Sequence, residues 1–150
     1  MMNKVFVYGT LKSNQPNGRF MRDNSNGFAK FIGKGVTEKR YPLVIIGEFN
    51  LPGLLKKEDL GKQVLGEIFE VDEKKTQWLD MFEDHPHLYK REIIRVIQVD
   101  SGDSGDQAIS QRVQECWCYF YQQFEDSQIK PPFYDDYNSS GARGLEYNQE

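Results

Sequence analysis

Apolar residues recur mainly at every second position along the chain, in short runs rich in β-branched and aromatic side chains. That alternation predicts strands over residues 4–8, 35–37, 43–46, 63–71, 92–99 and 115–121, with "GEIFEVD" and "EIIRVIQVD" the clearest. One segment keeps a helical period instead. In "VDEKKTQWLDMFEDHP", Asp72 is placed to cap a helix, Trp78, Leu79 and Phe82 form its apolar stripe, and Pro86 limits its extension. A shorter helix over 18–24 is suggested by Phe20 and Met21. Strands that follow one another with a single strong helix between them argue for an α+β fold built on a curled, largely antiparallel sheet.

Two regions lack either period. Residues 100–112, "DSGDSGDQAISQR", read as a solvated connector between paired strands; they resemble a calcium loop only superficially, because the bidentate acid at the required spacing is missing. From residue 128 onward regular signals fade. The aromatics Phe133, Tyr134, Tyr137 and Tyr147, with Leu145, predict a tail that packs back on the body.

Composition narrows the function classes. The 150 residues, 38% of them hydrophobic, suit one domain spanning 1–150 with one core. Nineteen basic residues stand against 23 acidic ones, scattered, so no positive stripe is available for nucleic acid. The N-terminus lacks a leader-like apolar region, and no window approaches the roughly 18 apolar residues of a membrane span, so a cytoplasmic protein without membrane contact is expected. Cys116 and Cys118 fall on one face of a strand and are expected as reduced core thiols. The sequon at Asn138 matters only in a secreted chain. No apolar surface stripe asks for a partner, so a monomer is expected.

Most familiar chemistry is absent. His85 and His87 with the Cys-x-Cys pair do not have the spacing of a zinc site, "GTLK" is not a phosphate loop, and no serine sits in a nucleophile elbow. No metal and no cofactor is expected. What remains is a carboxylate and a turn. Glu83 follows Phe82 at the end of the strong helix and flanks its apolar stripe, so it should be half-shielded from water, with a pKa raised towards the working pH. On pattern alone an ordinary helix-end glutamate is the simpler reading. The turn is "KVFVYGTLK" at 4–12, a strand ending in an exposed aromatic and a glycine, which suits either a plain turn or a binding loop.

Five blocks in order, "VFVYGTLK", "YPLVIIGEFNLPGLL", "VLGEIFEVD", "LDMFEDHPHLYKR" and "YDDYNSSGARGLEYN", resemble the γ-glutamylcyclotransferase-like superfamily over nearly the whole chain. The resemblance implies a small mixed, largely antiparallel β-barrel with flanking helices. It implies an enzyme that closes a γ-glutamyl group into 5-oxoproline and releases an amine, with a small-molecule γ-glutamyl substrate as its only partner. The subgroup most resembled acts on γ-glutamylamines such as γ-glutamyl-ε-lysine. Carried over position by position, the substrate loop falls on Tyr8, Gly9, Thr10 and Leu11 and the catalytic acid on Glu83. γ-Glutamyl amino acids or glutathione as substrates, or a binding module without chemistry, are the alternatives.

Overall fold

The computed structural model describes residues 2–47, 50–99 and 112–139. Five strands close a barrel in the order β1 (Asn3–Val7), β5 (Leu65–Val71), β2 (Ala29–Thr37), β6 (Tyr89–Val99), β7 (Val113–Tyr121). Neighbours are antiparallel except where β7 meets β1, a parallel contact at Val5 and Trp117. The mixed, largely antiparallel barrel is as expected.

Both faces of the barrel wall are apolar, and the pleat sorts them. Phe6, Tyr8, Ile68, Ile94, Val96, Cys116, Cys118 and Phe120 fill the interior. Val5, Val7, Phe69, Val71, Tyr119 and Tyr121 face outward into a second cluster, with Leu79. Both cysteines are free and fully buried.

β2 begins six residues earlier than predicted. Its first half exposes Phe31 and Lys30, a bulge shifts the register between Phe31 and Gly33, and glycines at 33 and 35 dilute the strand signal. Gly35 lies where a Cβ would stand 2.6 Å from Val96 Cγ1, so the barrel wall closes there only around a glycine. β6 and β7 also start earlier than predicted, at Tyr89 and Val113, and β5 starts two residues later, at Leu65.

A strand the pattern does not suggest is β4 (Leu51–Leu54), which pairs with β3 (Leu43–Ile46) in a separate two-stranded sheet. Pro52 and Gly53 argue against a strand in the middle of a sheet, but an edge position tolerates both. The hairpin is tied to the barrel by Leu54 N–H donating to the Tyr8 hydroxyl (3.1 Å) and the Tyr89 hydroxyl donating to Pro52 O (2.8 Å).

Helix α2 (Glu73–Phe82) begins as expected: the Asp72 carboxylate accepts from Lys75 N (2.8 Å) and Phe28 N (3.1 Å). Only part of the predicted stripe reaches the core. Leu79 is fully buried, whereas Trp78 and Phe82 stack on each other and pack against Phe20 of the short helix α1 (Arg19–Arg22). Lys75, which the pattern leaves in water, is buried beside Thr76. Its ammonium donates to Phe20 O (2.7 Å), Asp23 O (3.1 Å) and Asn26 Oδ1 and so fastens the segment between α1 and β2 to the helix.

The helix also ends before Pro86 can act. Asp84 takes a left-handed conformation (φ 52°), its N–H donates to Met81 O (3.1 Å), and His85 N–H donates to Asp80 O (2.8 Å). This is a Schellman closure with aspartate in the position glycine usually takes. Glu83, the C-cap, is thereby held on both sides.

Of the predicted tail, residues 134–139 do pack back: Tyr137 is wholly buried in the barrel core, Tyr134 N donates to Leu43 O (3.1 Å) and Leu65 N to Asp135 O (2.7 Å). Leu145, Tyr147 and the connector at 100–111 lie outside the described residues. No helix of the described residues is long and apolar enough to cross a membrane.

Candidate active site

β1 delivers Tyr8 to the rim of the barrel, and the chain then folds into a compact turn. Lys12 N donates to Gly9 O (3.1 Å), Asn17 N to Thr10 O (2.8 Å) and Asn17 Nδ2 to Thr10 Oγ1 (3.0 Å). The N–H groups of Gly9, Thr10 and Leu11 donate to no described residue. Three adjacent main-chain donors thus lack an acceptor among the described residues.

These residues line a cavity of about 180 Å³, and Glu83 lines the same cavity from the end of α2. The structure thus brings together all five residues singled out in the sequence. It adds Asn17, Pro52, Leu88, Tyr89 and Tyr119, none of which carries a local signal: Asn17 reads as a turn residue and Tyr119 as strand core. A roomier groove of about 390 Å³, bordered by β3, Phe124 and Tyr134, offers no carboxylate or histidine.

Tyr8 is not the exposed aromatic that the strand end suggests. It is 5% exposed, and its hydroxyl donates to Tyr119 O (2.7 Å) while accepting from Leu54 N. Burial raises its pKa well above the ordinary tyrosine value. The phenol therefore braces the site and keeps its proton. Gly9 leaves room for the hairpin: a Cβ there would stand 2.8 Å from Pro52 Cγ.

Glu83 is shielded more strongly than its place beside the stripe suggests. Part of the residue reaches solvent through the cavity, but desolvation by the surrounding protein pushes its carboxyl up to about 8. No cation and no hydrogen-bond donor among the described residues holds the carboxylate. Asp80, one turn earlier, is the contrast. Burial would raise it, but Arg91 Nε (2.8 Å), Arg91 Nη2 (3.2 Å) and the Tyr119 hydroxyl (2.6 Å) donate to it and hold it below the usual carboxylate range. The partners of Asp80 favour its ionised form, whereas burial of Glu83 favours its protonated one.

His85 and His87 do not converge with the cysteines. His85 Nδ1 accepts from Arg91 N (3.2 Å), the cysteines lie inside the barrel, and no three ligating side chains are grouped among the described residues.

The class this describes is a small closed barrel with a cavity at its rim, lined by a desolvated acid and a tight turn. The family model for "Gamma-glutamyl cyclotransferase, AIG2-like" matches residues 5–139, and the chain belongs to that family. It is 41% identical over 150 residues to the γ-glutamylaminecyclotransferase of Mus musculus (98% of this chain, 97% of the relative). It is also 41% identical over 148 residues to that of Homo sapiens (98% and 97%). The crystal structure of an AIG2-like protein from Mus musculus superposes with a TM-score of 0.88 at 40% identity, covering 99% of this chain and 97% of that one. The protein is a cyclotransferase on the γ-glutamylcyclotransferase barrel.

Proposed function

We propose that this cyclotransferase acts on γ-glutamylamines, with γ-glutamyl-ε-lysine as the representative substrate, converting the γ-glutamyl group to 5-oxoproline and releasing the free amine. The observation that carries the reading is the shared cavity: Glu83 and Gly9–Leu11 line one space, and among the described residues no lysine or arginine joins them. The amides suit the α-carboxylate and the developing oxyanion of a γ-glutamyl unit. A second carboxylate beside the scissile nitrogen, which γ-glutamyl amino acids carry, meets no cation among the described residues that line the cavity.

In the reaction, Glu83 accepts a proton from the substrate's α-amino nitrogen, which attacks its own γ-carbonyl carbon and closes a five-membered ring. The carbon–nitrogen bond to the leaving amine then breaks, and Glu83 returns the proton to that nitrogen. Nucleophile and electrophile belong to one molecule, so the protein's contribution is to hold the glutamyl chain folded and to move the proton. Two free buried cysteines support a reducing, cytoplasmic setting.

The test is release of 5-oxoproline from γ-glutamyl-ε-lysine, γ-glutamyl-alanine and glutathione, measured side by side. We expect γ-glutamyl-ε-lysine to lead in kcat/KM by at least about 100-fold, the size of one buried charge left unpaired. Equal or better turnover of either other compound overturns the amine assignment.

A further inference from the structure

Lys12 closes the substrate turn, yet its side chain leaves the cavity. It is 8% exposed, and its ammonium donates to Asp136 Oδ1 and to Tyr137 O (2.6 Å), 124 and 125 residues further along. The segment it meets is itself fixed. Tyr137 is buried in the same cluster as Tyr8, Tyr134 N is bonded to β3, and Asp135 O accepts from Leu65 N at the start of β5. A second contact runs in parallel, from Ser139 N to Gln15 Oε1 (2.9 Å). The carbonyls of Gly9 and Thr10 accept from Lys12 N and Asn17 N, and Ser13 N and Oγ both donate to Glu67 Oε1 (2.9 Å), so the turn is tied at Lys12 to residues 136–137 and at Ser13 to β5.

We propose that Lys12 is a positioning residue for the cyclisation, through which residues 134–139 act as a strap that fixes the substrate turn. The ammonium touches no reacting atom. Its charge-assisted bonds to a partly buried carboxylate and a carbonyl are of the strong kind, and small displacements of a gripping loop cost binding of the group it grips. The inference rests on the proposed function for its kinetic arm and on the fold alone for its structural arm.

The experiment compares Lys12→Met, Asp136→Asn and the double variant with the full-length wild type. We expect Lys12→Met to raise both KM for γ-glutamyl-ε-lysine and Kd for 5-oxoproline about tenfold, with kcat changed less than about threefold and the pH profile of kcat unmoved. Asp136→Asn should shift the same constants less, and the double variant should be no worse than Lys12→Met, because both changes break one link. In parallel, amide exchange at residues 12 and 17, whose N–H groups bond to Gly9 O and Thr10 O, should quicken while α2 is unaffected. Should Lys12→Met fail to fold, Asp136→Asn and its exchange pattern carry the test. Unchanged KM and exchange in a folded variant, losses confined to kcat, or fully multiplicative effects in the double variant overturn the strap. A wild type that releases no 5-oxoproline overturns the proposed function instead and leaves the strap to be judged by exchange.

Discussion

Gly9 and Pro52 meet so closely that any side chain at position 9 would enter the hairpin: its Cβ would lie 2.8 Å from Pro52 Cγ. Pro52 is in turn held by the Tyr89 hydroxyl, so it cannot withdraw freely. Gly9→Val should therefore displace a cavity wall and raise KM by about tenfold or more, the scale on which small misplacements of binding groups act. Steady-state kinetics with an unchanged KM would show that the hairpin adjusts without consequence for the substrate.

Glu83→Gln keeps the shape of the side chain and removes its ability to take a proton. Turnover should fall by about 10²–10⁴-fold, the usual worth of a positioned acid–base group. Circular dichroism should be unchanged and 5-oxoproline should still bind. Activity within tenfold of wild type removes Glu83 from the mechanism.

The raised pKa of Glu83 sets the direction of the pH profile. The free enzyme must present the carboxylate, so kcat/KM should climb with pH and level off above about 8. A flat profile between pH 6 and 8 would contradict a base desolvated to this degree.

Stability should report the same group with the opposite sign. An acid whose folded pKa lies above its unfolded value binds its proton more tightly in the folded state, so its contribution is fully present below the unfolded value near 4.5 and is lost as pH rises to about 8. Glu83→Gln should therefore match wild type in acid and gain on it through that window, by up to about 1.4 kcal/mol per pH unit. Urea melts at pH 4, 6 and 8 read this directly. A constant difference across the three would show that Glu83 is not desolvated.

Tyr8→Phe removes one hydroxyl that serves two buried main-chain groups, Tyr119 O and Leu54 N. The expected cost is about 2–3 kcal/mol, because both partners are left without their bond. Since the hydroxyl keeps its proton, the pH profile of kcat/KM should keep its midpoint. A shifted midpoint in Tyr8→Phe would mean that the phenol takes part in the proton transfer.

Much of this is legible in the chain where one element suffices. The alternation in β7 places Cys116 and Cys118 inward and Tyr119 outward without reference to anything else. Asp72 announces α2 because capping is local. β4 is hidden because proline and glycine, tolerated at an edge, look like a break. Lys75 is hidden because the carbonyls that satisfy it come from a segment about fifty residues earlier. The site divides in the same way. The end of α2 marks Glu83, and the family's motif marks Tyr8 to Leu11, but the depth of Glu83's burial is made by β1, the hairpin and β7 together. Asn17, Tyr89 and Tyr119 acquire meaning only at the cavity, and the Lys12–Asp136 link joins residues with no periodic relation.

The parallel contact between β1 and β7 also imposes an order of assembly. During synthesis the strand that leads to Tyr8 emerges well before β7, yet the carbonyl that receives the Tyr8 hydroxyl belongs to Tyr119, 111 residues later. Until that strand arrives β1 has one open edge, and the wall of the cavity that Tyr119 supplies does not exist. A ribosome-bound chain that ends before β7 should thus hold α2 and its helix-end acid but no pocket around them, so catalytic competence comes only with completion of the barrel.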